Sequence, residues 1–147
     1  MGPLDCLVRE FFDALNASDF EAARAALDPS CAFAAPGIEG EGPDAVLGWI
    51  RPFLAAFPGS QHQVRRTVEA QDAVAFELEI AGTHTAPLAG PAGKIPPTGR
   101  DVRIAAANVW SVNDGRIVSY HIYFDQLGFM VQLGLVPDPS QETGAPA

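Results

Sequence analysis

The fold turns on one stretch, Ser119-Tyr-His-Ile-Tyr-Phe-Asp-Gln-Leu-Gly-Phe-Met-Val-Gln-Leu-Gly134. Its first half alternates with a period of two and its second half opens on an Asp, so it reads as a strand running straight into a short helix. Val118, Tyr120, Ile122 and Phe124 fall on one side of that strand, and Ser119, His121, Tyr123 and Asp125 on the other. The ionisable groups thus share a face. A carboxylate held at a strand end with an imidazole and a phenol beside it suits proton transfer, with Asp125 as the acid/base and His121 as its partner. Asp125 also stands where the N-cap of the helix from Gln126 belongs, and the two roles are compatible.

Outward from this stretch, Val102 to Val112 and Arg116 to Phe124 flank Asn113-Asp-Gly115, whose Asp-Gly pair signals a tight hairpin. The closing helix is expected from Gln126 to about Leu133 with Gly134 as its C′ residue, followed by a loose tail over 136–147. Two earlier strands follow from the alternation of His62, Val64, Arg66 and Val68 and of Val74, Phe76, Leu78 and Ile80, joined near Gln71-Asp72. Thr85 to Gly99, rich in Gly and Pro, reads as one long loop.

The first third is helical. Leu4, Leu7, Val8, Phe11, Phe12 and Leu15 recur at three- and four-residue steps after Pro3, and a second helix is expected from Ser18 or Asp19 to Asp28-Pro29. Cys31 to Ala35 is a short strand candidate that gives way to a flexible Glu39-Gly-Glu-Gly42. Pro43 then opens a third helix whose apolar face carries Val46, Trp49, Ile50, Phe53, Leu54 and Phe57. Three helices with one early strand, then four mostly antiparallel strands and a final helix, make an α+β pattern in a single domain over 1–135. A strongly bent sheet of this kind wraps the helices and leaves room for a pocket lined by aromatics.

Composition narrows the functions. With 147 residues and 48% hydrophobic content, one ordinary core is affordable. A formal charge of −9 with nine Lys and Arg argues against nucleic acid and against an anionic membrane surface. No apolar run of about 18 residues or basic-then-apolar leader is present, so a soluble cytoplasmic protein is the expectation. Cys6 and Cys31 have no paired-Cys or Cys/His spacing, so neither a disulfide framework nor a metal site is supported.

Several pieces together, Gly82-Thr-His84, Pro96-Pro-Thr-Gly-Arg100, Asp114-Gly-Arg-Ile-Val118 and Tyr123-Phe-Asp-Gln-Leu-Gly128 with Gln132-Leu-Gly134, carry a family likeness over roughly residues 4 to 135. The chain resembles the SnoaL-like polyketide cyclases, or ester cyclases, within the nuclear-transport-factor-2-like superfamily. That resemblance implies a cone-shaped curved antiparallel sheet wrapped around N-terminal helices. It also implies intramolecular aldol cyclisation of a polyketide-like carbonyl compound without metal or cofactor, with a pocket Asp corresponding to Asp125 as acid/base. Relatives with the same cone include isomerases, epoxide hydrolases and dehydratases, so fold supports function only by analogy.

Around Asp125 and His121, the substrate-binding candidates are Tyr123, which shares their face, and His84, which shares parity with Val74, Phe76, Leu78 and Ile80. Asn108 is the one amide in an otherwise apolar strand, and a buried amide must find partners. Trp49 and Phe53 on the third helix, with Phe12 on the first, are large enough to stack on a flat ligand, although such stripes also build plain cores. Two apolar faces, Tyr120/Ile122/Phe124 and Val102/Ile104/Trp110, exceed what one small core covers, so a homodimer is expected. The reading that follows is an acid/base cyclase or isomerase. A non-catalytic carrier of a hydrophobic ligand, or an epoxide hydrolase on the same fold, are the alternatives.

Overall fold

Pro3 begins helix α1 (Pro3–Asn16), its missing N–H falling where a helix start leaves amides unpaired anyway. The computed structural model describes residues 2–90 and 93–140. After α1 come α2 (Phe20–Ala25), β1 (Leu27–Ala35), β2 (Ile38–Glu41), α3 (Pro43–Ala56), β3 (Gln61–Glu69) and β4 (Ala73–Thr83). Then follow β5 (Leu88–Gly90), β6 (Gly93–Ile95), β7 (Asp101–Asn113), β8 (Arg116–Phe124) and α4 (Gln126–Gln132). Six strands form one sheet in the order β2-β1-β8-β7-β4-β3, with β5 and β6 a separate small hairpin. Among the described residues only β1 and β8 pair in parallel, and the chain is α+β as expected.

The long strand β7 lies at the centre of the sheet, and every second residue from Val102 to Val112 is buried. The helices cover that inner face. Val8, Phe11, Phe12 and Leu15 of α1 and Val46, Leu47 and Ile50 of α3 join Val74, Phe76, Leu78, Trp110, Ile117, Tyr120 and Ile122 in one core. The two apolar sets expected to lie on different faces, Val102/Ile104/Trp110 and Tyr120/Ile122, therefore point into the same layer. The hairpin Asn113-Asp-Gly115 turns with Asp114 at φ 51° and Gly115 at φ 75°, the positive angles its Asp-Gly pair favours.

Bulges explain where simple alternation fails. The β7/β8 ladder shifts register between Ser111 and Val112, so Ile117 turns inward together with Tyr120 and Ile122. A second shift between Val64 and Arg66 leaves Val68 exposed. A third lies in β1 between Leu27 and Ala32, around Pro29, which has no N–H to give to a ladder. Hence α2 ends at Ala25 and strand begins at Leu27, where a helix through Asp28-Pro29 was expected.

Two segments read as loop are partly ordered as strand. Glu39 to Glu41 belongs to β2, which returns along β1 after a turn containing Gly37 at φ 77°. Thr85 to Gly99 contains the β5/β6 hairpin, with residues 91–92 between them outside the described residues. The tail expected over 136–147 is described only to residue 140. At the closing helix, Gly134 N–H donates to Val131 O and Leu135 N–H to Met130 O, the paired bonds of a Schellman stop.

Two polar joints seat α1 on the edge strand β3. Asp5, 3% exposed, accepts from Thr67 Oγ1 at 2.7 Å and from Arg9 Nε at 3.0 Å. The Thr67 hydroxyl first, and then Arg9, hold its carboxyl below the usual carboxylate range. Asn16 brackets His62, accepting its N–H at 2.8 Å and donating to its carbonyl at 3.0 Å, while the ring stacks on Phe12. Burial lowers the His62 imidazole to about 4. An unfolded chain therefore takes up a proton at His62 that the native chain refuses, and stability falls as pH drops from about 6.5 toward 4. The Asp5 contribution is present above the ordinary carboxylate pKa and is lost as pH falls further, through its lowered native value. His62→Gln is expected to flatten the decline in Tm between pH 6.5 and 4, and Asp5→Asn to flatten it only below about pH 4, both read by circular dichroism melts.

Candidate ligand-binding site

The inner layer carries two sets of aromatics bridged by Phe33, which lies 5.8 Å from Tyr120 and 5.7 Å from Trp49. One is closed around Trp110, whose ring lies 4.8 Å from Phe76, 5.0 Å from Tyr120, 5.3 Å from Phe11 and 5.8 Å from Phe12. The other gathers under α3 and α4. Phe53 stacks on Phe57 at 4.4 Å, Phe129 stands 6.1 Å from Phe53, and Trp49 lies 6.0 Å from Phe124. Trp49, Phe53, Phe124 and Phe129 are only partly buried, so this second group is the side of the core that meets solvent.

Asn108 sits on β7 beside the Trp110 set. Its cross-strand neighbours are Phe76 and Ile122, and Ala106 and Trp110 are next along the same face. The residue is fully buried, and neither its carbonyl oxygen nor its amide nitrogen has a protein partner. Buried amides are otherwise almost always paired. Trp110 Nε1 and His84 Nε2 are buried without a partner as well. The sheet thus presents two N–H donors and one full amide to an otherwise apolar interior.

His84 follows β4 and keeps the inward parity of Leu78 and Ile80, with its ring stacked on Phe57 at 5.0 Å. Asn108 and His84 do not converge on one point. The last ladder pair before His84 is Thr83 with Asp101, so about 23 Å of strand path separates its level from Asn108. Asn108 therefore lies deep and His84 near one end. Of the other ligand-contact candidates, Trp49 and Phe53 belong to the partly exposed group, while Phe12 is enclosed with Trp110. Phe124 and Trp110 were read from the sequence as dimer-face residues and Phe129 was given no role, although Trp110 shares its parity with Asn108.

The polar face of β8 points the other way. Tyr123 is 57% exposed, His121 is half-buried opposite Ala34 and Val109, and Asp125 is exposed. Asp125 Oδ1 accepts the Gly128 N–H at 2.8 Å as the N-cap of α4. This corrects the expected placement of Asp125, His121 and Tyr123 inside an apolar hollow. Because Tyr120 and Ile122 fill the inner positions, alternation sends His121 and Tyr123 to the outer face, and the helix start draws the Asp125 carboxylate to its own amides. Asp5 is the only buried carboxylate among the described residues, and it is committed to Thr67 and Arg9. Among those residues no three His, Cys, Asp or Glu side chains are grouped as metal ligands would be, and no helix is long and apolar enough to cross a membrane.

The model of the SnoaL-like domain family matches residues 8–120, and the chain belongs to that family. Among solved structures it is similar to IdmH from Streptomyces antibioticus, provisionally assigned as a polyketide cyclase. The two share 28% identity at a TM-score of 0.76, over 91% of this chain and 99% of that one. AclR from Streptomyces galilaeus, provisionally assigned as a hydroxylase, is 25% identical at a TM-score of 0.79, over 91% of this chain and 82% of that one. An epoxide hydrolase from M. tuberculosis shares the fold at 23% identity and a TM-score of 0.64, with 86% of each chain covered. Comparison with curated proteins returned no match.

Proposed function

We propose that this SnoaL-like domain takes a hydrophobic, polyketide-like carbonyl compound into its inner layer, between β7 and the aromatics of α3, and anchors a carbonyl on the Asn108 amide. The observation that carries this reading is the Asn108 side chain, enclosed with both ends unpartnered. An unsatisfied buried amide costs about 1–3 kcal/mol of stability, which a residue serving only the core would avoid by being Leu. Its Nδ2 suits a ligand carbonyl and its Oδ1 a ligand hydroxyl or enol. Trp49 and Phe53 supply flat apolar walls on the side open to solvent.

Cyclase- or isomerase-type proton transfer is the second reading, favoured by the 28% identity with IdmH. Asp125 remains its acid/base, without His121, which β8 turns to the outer face. Asp125 directly follows Phe124, which belongs to the partly exposed aromatic group, so substrate would meet that carboxylate at the rim. Hydration of an epoxide is disfavoured as a third reading. It needs a water held at one point by several polar groups, and Asn108 and His84 stand at different levels of the sheet.

We also propose a homodimer through the outer face of the sheet. Val109 is 44% exposed and Tyr123 57% exposed there, beside the exposed small residues Ala105 and Ala107. Glu77 stands cross-strand from Ala107 with Arg66 opposite it in turn, and Glu79 takes both Arg65 and Arg103. An exposed apolar strip with charges of both signs along one edge suits a second copy of the same sheet.

Three experiments test these readings. Asn108→Leu is expected to raise Tm by several degrees while weakening the thermal shift given by an aryl ketone such as 2-acetylnaphthalene; a lowered Tm would assign Asn108 to the core instead. Asp125→Asn keeps the helix cap, so it isolates proton transfer. It should cut turnover of an aryl β-keto ester able to close by intramolecular aldol addition at least 100-fold, and unchanged turnover rules the acid/base role out. Light scattering at micromolar concentration should give a dimer mass for the native protein and a monomer mass for Val109→Glu.

A further inference from the structure

The end of the inner layer away from Asn108 carries a second arrangement, built on His84. The residue is fully enclosed, stacked on Phe57 and held at both backbone positions: its N–H donates to Arg100 O at 2.9 Å and its carbonyl accepts from Gly99 N–H at 2.8 Å. The ring is held as well. Thr98 N–H donates to Nδ1 at 3.1 Å, with the Thr98 hydroxyl also 3.1 Å from that nitrogen. A backbone N–H can only donate, so Nδ1 must present its lone pair. In the neutral ring the hydrogen then resides on Nε2.

That Nε2–H has no acceptor in the protein. The ring stacks on Phe57, which in turn stacks on Phe53 and lies 6.0 Å from Phe129, so a single ring separates it from the partly exposed aromatics. We infer that His84 is a second ligand contact, a neutral N–H donor whose tautomer is fixed by Thr98 and which binds a neutral acceptor oxygen of the ligand, a ketone, ester or quinone carbonyl. This rests on the interior-ligand reading and extends it. The ligand carries oxygen functions at two separated points, one for Asn108 and one for His84, with an apolar body between them.

The arrangement also ties recognition to the segment that precedes β7. Thr98 belongs to the connection that returns from β6 to β7, and its N–H and hydroxyl both meet His84 Nδ1.

The tautomer is testable without a ligand. Long-range nitrogen–proton correlation spectra of the histidine-labelled protein are expected to show His84 as the Nε2–H form, and an Nδ1–H form would overturn the inference by itself. The ligand contact is tested in Asn108→Leu, where a single carbonyl has only His84 to meet, with the matched pair 2-acetylnaphthalene and 2-ethylnaphthalene, which differ in one carbonyl. Asn108→Leu should still prefer the ketone, and adding His84→Phe, which keeps a ring against Phe57, should reduce that preference about three- to tenfold. A preference unchanged by the added His84→Phe overturns the His84 contact while the interior-ligand reading survives. Saturable binding of neither compound to the native protein overturns both.

Discussion

Everything in the molecule is fastened at Trp110. Its indole sits at the centre of the inner face of β7, with Phe76 on one neighbouring strand, Tyr120 on the other and Phe11 and Phe12 descending from α1. Five large rings in edge and stacked contact join the first helix to the three central strands, across about a hundred residues of sequence. Burying aromatics of this size removes much apolar surface from water. Removing the indole would leave a cavity where α1 meets the sheet.

The neighbouring position on the same face obeys the opposite rule. Asn108 is held in place by the ladder between Phe76 and Ile122, yet its own side chain has no partner. A rigid aromatic cluster on one side is what allows an unsatisfied amide to persist on the other, because the backbone that carries it cannot rearrange to satisfy it. The same logic applies at His84, whose backbone and Nδ1 are pinned while Nε2 is left open. One sheet face thus carries both closed aromatic packing and buried polar atoms without a protein partner.

Much of the fold was legible in the sequence because its signals are local. Pro3 and Pro43 at helix starts, Asp114-Gly115 at the hairpin, the alternation from Val102 to Val112 and Gly134 as a stop each act through the chain's own dihedral preferences. The errors fall where the partner strand decides. β2 was read as flexible because Glu39-Gly-Glu is a poor strand on its own, and it is ordered only by pairing with β1. The β7/β8 bulge cannot be seen in β8 alone, so counting by twos put Val118, in place of Ile117, on the face of Tyr120 and Ile122.

The candidate site divides in the same way. Asn108 and His84 stand out in sequence as polar residues on apolar parity, and their depth followed from that parity, since period-two alternation is a property of any strand. Sequence by itself therefore determined which residues share a face and which one breaks its pattern. Which face is inside was decided by tertiary structure alone: on β8 the helices cover Tyr120 and Ile122, so His121, Tyr123 and Asp125 are turned outward. A strand's pattern is symmetric between its two sides, and only the apolar surface packed against one of them breaks that symmetry.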